Sequence, residues 1–259
     1  MEKMLQDIRY ALRALAQNPG FAAVAVLSLA LGIGANTAIF SIVDAVLLKW
    51  LPVESPQELV VIARNPEKPS TGFNYPDYEY FRDHNQVFSG VVVNGGGGAL
   101  SLTVPDEGSR GDGQLVPSTL VSGNYFEVLG VKPAIGRLFT PEDNKTPGAH
   151  PLAVLSYDFW KTRFGSDPRA LGRKITLNGA PFTIIGVCRR GFTGTQVGSS
   201  PAIFIPIMML QQVNANARNW NSRHYWWLTP LARLKPGVSV KQATADADLL
   251  YKQIEQNDP

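Results

Sequence analysis

The sequence predicts an α+β protein with an N-terminal amphipathic helix, one transmembrane helix and a large mixed α+β domain behind them. Three observations carry that reading. Phe21 to Val43 contains no charged residue. After residue 51, short β-branched runs alternate with capped amphipathic stretches. The pair Asn178-Gly179 stands between two apolar runs, the strongest short signal for a hairpin.

Residues 1–20 come first. Met4, Leu5, Ile8, Ala11, Leu12 and Leu15 recur at helical spacing, with Glu2, Asp7, Arg9 and Arg13 around the rest of the turn. This pattern suits a helix lying on the cytoplasmic membrane surface, or an ordinary surface helix. Asn18-Pro19-Gly20 is expected to break it.

Residues 21–48 follow as the span. A secretory signal has a shorter apolar region and a small-residue cleavage site, and neither is present; a core helix is usually shorter and broken by charge. Lys3, Arg9 and Arg13 precede the span, which places the N-terminus in the cytoplasm, and Trp50 suits the far headgroup layer. Ser28, Gly32 and Asn36 lie four apart, as do Ala30, Gly34 and Ala38. Small residues at that spacing let a second helix approach, and Asn36 offers a hydrogen bond across the contact.

Residues 51–259 form the outer domain, large enough for two subdomains. Glu58–Arg64 reads as a strand. Tyr75–His84 reads as a helix capped by Asn74, with Pro76 in its first turn. Val87–Val93 is a strand that Gly95–Gly98 ends in a flexible turn. Gln114–Val121 is a strand, Gly123–Leu129 a short helix closed by Gly130, and Leu152–Leu155 a strand. Ser156 caps a helix that Gly165 ends. Lys174–Leu177 and Pro181–Val187 form the hairpin, Tyr225–Leu234 a late strand, and Ser239–Gln256 the last helix. The best further apolar run, Ala202–Leu210, is short and contains Pro206.

Composition narrows the chemistry. The formal charge is +3 and the basic residues are scattered, so no basic stripe marks a nucleic-acid partner. The single cysteine, Cys188, has no internal partner and sits in an apolar strand. His84, His150 and His224 lack metal-ligand spacing, and no zinc motif, nucleophile elbow or Walker A loop occurs. No catalytic, cofactor-binding or metal residue is expected. Glu142-Asp143 reads as a capped helix start, with a cation site as the sharper alternative. Trp220, Tyr225, Trp226 and Trp227 suit core packing or a binding surface.

Three blocks together resemble a known family. They are MLQDIRYALRALAQNPGFAAVAVLSLALGIGANTAIFSIVDAVLL, VSGNYFEVLGVKPAIGRLF and AVLSYDFWKTRFGSDPRALGRKITLNGAPFTIIGV. They are similar to the N-terminal half of MacB-type, FtsX-like ABC-transporter permeases without a fused ATPase. The resemblance implies a two-lobed periplasmic core domain, a permease dimer in the bacterial inner membrane, a separate ABC ATPase subunit and a possible periplasmic partner. Gly130, Gly136 and Arg137, with Asn178 and Gly179, then mark fold-defining turns rather than catalytic groups. In that family three more spans follow, so the chain reads as a truncated or split permease. A membrane-tethered binding or adaptor module is the alternative function, and an ectoenzyme is disfavoured by the missing catalytic constellation.

Overall fold

The structure, a computed structural model, describes residue 17 and residues 19–43, 52–63, 72–105, 113–196 and 198–257. They fall into two units, Met1–Trp50 and Leu51–Pro259.

The first unit contains helix α1, Pro19–Val43, 25 residues with no acidic side chain in its first turn and no basic one in its last. Pro19 and Gly20 open this helix, and Asn18, with the expected break before the span, lies outside the described residues. Proline is tolerated at a helix start, where its missing N–H has no partner within the helix. The rest of the expected amphipathic segment, apart from residue 17, lies outside the described residues, as do residues 44–48 of the expected span. Val24, Val26, Leu27, Leu29, Leu31 and Ile33 are all exposed. Thr37 Oγ1 donates to Ile33 O at 2.8 Å, so the hydroxyl is satisfied within the helix. Among the described residues, no helix is long and apolar enough to cross a membrane. The side chains at residues 21, 25 and 38–43 of α1 lie outside that described set.

The second unit contains β1 (Leu59–Val61), α2 (Tyr75–His84), β2 (Phe88–Thr103), β3 (Gln114–Val121), α3 (Tyr125–Val128), β4 (Pro133–Gly136), β5 (Leu152–Leu155), α4 (Tyr157–Phe164), β6 (Lys174–Leu177), β7 (Ala180–Cys188), β8 (Ile203–Pro206), α5 (Leu210–Val213), β9 (Leu228–Leu234) and α6 (Val240–Asn257). The helix signals act as read. Asn74 accepts from Asp77 N at 2.8 Å, and Ser156 from Phe159 N at 3.3 Å. Gly165 closes α4 at φ +60°, and Ser239 forms a reciprocal cap with Gln242.

The nine strands make one sheet in the order β1-β9-β2-β3-β8-β5-β7-β4. Strand β6 pairs with both β7 and β2, so β2, β3, β8, β5, β7 and β6 close into a ring. Closure satisfies backbone groups that an open sheet would leave at its edges. The expected two lobes therefore share one sheet and one compact unit.

Alternation along the strands separates two apolar clusters. Ala153, Leu155, Ile203 and Ile205 join one cluster with Phe81 of α2 and Tyr251 of α6. Val154, Phe204, Val92 and Leu231 join the other, with Tyr125, Phe126 and Leu129. The unbroken apolar character of Ile203–Pro206 follows from this: both faces of that strand are buried, so the run is a core strand and not a span.

Two expectations fail here. Gly95–Gly98 does not end a strand, because β2 runs through it to Thr103. A Cβ on Gly95 would collide with Trp227 O, and one on Gly97 with Ser118 O, so bare backbone lets β9 and β3 approach. The late strand starts at Leu228, not Tyr225, so strand alternation does not sort the preceding aromatics into faces. Strand β4 adds an element that the sequence does not announce, since Pro133 and Gly136 are poor strand formers; it is a four-residue edge held by β7.

Candidate functional site

The chain enters the outer domain through residues 52–58, a strap that precedes β1. Little of it is regular structure: Ser55 has φ +41°, and Pro56–Glu58 is one 3₁₀ turn. Such a segment needs partners for its backbone groups. One side chain supplies two of them. Arg233 of β9 donates through Nη2 to Glu54 O and through Nη1 to Ser55 O at 3.2 Å. Its Nη1 also meets Glu58 Oε2 at 3.0 Å, and its Nε donates to Val128 O at 2.7 Å.

The position of Arg233 follows from sheet register. It pairs with Leu59 on one side and Gly90 on the other. A Cβ on Gly90 would collide with Val128 Cγ2, so this glycine lets the end of α3 reach the guanidinium. The Arg233 side chain is 14% exposed, which weakens solvent competition for its four bonds. The strap is fixed elsewhere as well. Glu54 N donates to Leu129 O at 3.0 Å, Arg189 Nη2 to Pro52 O at 2.7 Å, and Val53 is buried in the second cluster.

Gly130 belongs to this arrangement. It sits at φ +67°, and a Cβ there would strike Glu54. Ending α3 and admitting the strap are therefore one requirement. Gly136 has φ +68°, with Ile185 O where a Cβ would lie. Its neighbour Arg137 does more than turn the chain. It forms a two-pronged ion pair with Asp143, which also accepts from Thr140 N at 2.9 Å and Thr140 Oγ1 at 3.1 Å. Burial pushes the Asp143 carboxyl up, but the bonds from Arg137 and Thr140 outweigh it and hold the group below the usual carboxylate range. Glu142 pairs with Lys145, and no acidic, histidine or cysteine group suited to a metal occurs among the described residues.

The other singled-out residues separate. Asn178 (φ +48°) and Gly179 (φ +87°) form the β6–β7 turn. Asn178 also ties that turn to β2 and α5: its Oδ1 accepts from Ser101 N at 2.8 Å and its Nδ2 donates to Val213 O at 2.8 Å. Trp220 is buried against Tyr75 with ring centres 4.8 Å apart, whereas Tyr225 and Trp226 are exposed. Cys188 is fully buried, and burial pushes its thiol up. On α1, Ser28, Ala30, Gly32, Gly34 and Asn36 are exposed, and Cβ positions at Gly32 and Gly34 meet open space. The Ala38 side chain lies outside the described residues. Arg233 and the strap escaped sequence reasoning; the one available signal was a lone arginine inside the apolar run LTPLARL.

These features define a mixed α+β domain whose N-terminal strap follows an apolar helix and is locked onto the sheet by arginine. The family described as MacB-like periplasmic core domain matches residues 22–250, and the chain belongs to that family. Two solved structures share the fold. The periplasmic region of MacB from Actinobacillus actinomycetemcomitans matches with a TM-score of 0.54 and 16% identity, over 76% of this chain and 82% of that one. The extracellular domain of the noncanonic ABC-type transporter YknZ from Gram-positive bacteria matches with a TM-score of 0.52 and 17% identity, over 76% of this chain and 94% of that one. No curated protein matches the chain by sequence.

Proposed function

We propose that the chain is the non-ATPase permease component of an ABC-type export or mechanotransmission system. In this reading α1 anchors it in the inner membrane, with the N-terminus cytoplasmic and Leu51–Pro259 outside. The uncharged run from Phe21 to Val43 supports the anchor. Family membership supports the external placement of the domain. These residues carry no Walker A sequence, which supports ATP hydrolysis outside them. A second permease copy against the Ser28–Gly32–Asn36 face, membrane lipid and a periplasmic partner complete the expected set.

The Arg233 clamp is the observation that carries this reading. Displacement of the strap is delivered to β9 by one guanidinium and by the β1–β9 ladder. Strand β9 leads directly into α6, which packs Tyr251 against Phe81 at 4.8 Å. The entry segment and the last helix are thus coupled through one strand. Affinity-tagged chain isolated from native membranes tests the proposal. Vanadate-sensitive ATP turnover should accompany it, and the chain purified alone should show none. A chain that arrives with no ATPase favours the tethered binding module, and one that leaves membranes in alkaline carbonate refutes the anchor that both readings need.

A further inference from the structure

We infer that the cleft where β2 crosses Trp227 binds a neutral glycan. This inference does not depend on the permease reading. The cleft has a volume of about 450 Å³, within the range of small-ligand sites. It is lined by the Gly95–Gly98 run, by Ser118 and Thr119 of β3, by Gln196 and Ser199, and by Trp227 and Thr229.

Its chemistry excludes several ligand classes. No lining residue carries a charge, so phosphates, carboxylates and metal ions find no counter-charge. A purely hydrocarbon ligand would strip water from the hydroxyls and the Gln196 amide without replacing their hydrogen bonds. Hydroxyl-rich ligands fit both demands: they pair with the Thr119, Ser199 and Thr229 hydroxyls and the Gln196 amide, and the C–H faces of a sugar ring suit the electron-rich face of an indole. Tyr225, exposed at the surface and outside the lining, has its ring centre 6.3 Å from that of Trp227.

The backbone adds polar groups that lack a ladder partner among the described strands. Strand β2 pairs with β9 as far as Gly95 and with β6 from Leu102, which leaves Gly96–Leu100 unpaired on that side among the described strands. An extended peptide would be the obvious occupant of such an edge. Here the edge is broken: Gly96 has φ +55°, Gly98 has φ +153°, and the ladder to β3 slips between Gly95 and Gly98. A regular strand cannot continue its hydrogen bonds past that bulge. A compact ligand with hydroxyls in several directions has no such requirement. Thr119 gives a further indication. It is 7% exposed, and among the described residues its hydroxyl reaches only Leu120 O, at the long distance of 3.5 Å.

The test uses the full chain in lauryldimethylamine oxide, a detergent without a sugar headgroup. Chitotriose (N-acetylated) and maltotriose are titrated against tryptophan fluorescence, beside the tetrapeptide Ala-Gly-Ala-Gly. We expect saturable binding of at least one trisaccharide, and about tenfold weaker binding in Thr119→Val, the effect of one lost hydrogen bond to a buried hydroxyl. Trp227→Phe should remove most of the fluorescence change. Saturation-transfer NMR on the unaltered chain needs no variant and should show transfer to sugar-ring protons. Absence of both fluorescence saturation and transfer overturns the proposal. So does binding of the tetrapeptide alone, or glycan binding that both variants leave unchanged.

Discussion

Arg137 grips Asp143 with both arms of its guanidinium, Nη1 to Oδ2 at 2.6 Å and Nη2 to Oδ1 at 2.9 Å. The pair closes the segment after β4 onto the 3₁₀ turn Pro141–Asn144. Its carboxylate end is 8% exposed and its guanidinium end 52% exposed, so most of the cost of breaking it falls on Asp143. Asp143→Asn should destabilise the domain by about 1–3 kcal/mol at neutral pH. A carboxyl held below its unfolded value stabilises fully above the ordinary carboxylate range and loses that contribution as pH falls through the lowered value. The wild type should therefore lose stability in acid more steeply than Asp143→Asn. Equal urea midpoints at neutral pH, or parallel acid curves, would contradict this.

Glycine substitutions should rank by what surrounds them. Gly136→Ala meets both a left-handed backbone and Ile185 O, while Gly179→Ala meets the backbone cost alone, with nothing within 4 Å. The second should cost about 1–2 kcal/mol and the first clearly more. Thermal denaturation of the two variants checks the order, and a Gly179→Ala loss as large as that of Gly136→Ala would refute it.

Arg233→Lys keeps the charge but cannot reach three carbonyls and a carboxylate from one planar fork. The strap should loosen while the sheet stays intact. Hydrogen exchange should accelerate by about tenfold at the amides of Glu54 and Glu58, with β5 and β8 unchanged. Uniform acceleration across the domain would mean that Arg233 supports the fold at large.

Topology is open to labelling because Cys188 is fully buried and its thiol is pushed up by burial. Asn216 is exposed in the outer domain. Asn216→Cys should react with a membrane-impermeant maleimide in cells whose outer membrane has been permeabilised, and the parent chain should stay silent. Reaction only after the inner membrane is opened would reverse the orientation.

Helix association is a separate matter. Gly32→Leu should weaken self-association of α1 in a membrane by about 1–2 kcal/mol, since a large side chain holds a partner away from the Ser28–Asn36 face. Unchanged dimerisation in a membrane reporter assay would remove that face from consideration.

Local signals read well wherever one residue acts on its own neighbours. Asn74, Ser156, Gly165 and the Asn178-Gly179 turn were legible because caps and tight turns are decided within a few residues of chain. Gly95–Gly98 was misread for the opposite reason. Four glycines look the same in sequence whether they free a loop or make room for Trp227 and Ser118 arriving from elsewhere in the sheet.

The amino-acid order by itself determined the α+β class, the apolar helix, most strands and helices, and the lack of familiar catalytic motifs. Only the tertiary structure decided that β6 closes a ring of six strands, that Gly130 makes way for Glu54, and that Arg233 holds the strap. Helix periodicity and capping are short-range effects written in adjacent residues. The β2–β6 closure, the β1–β9 ladder and the clamp join positions more than seventy residues apart, where the partner is set by register and packing, and no spacing within either segment records it.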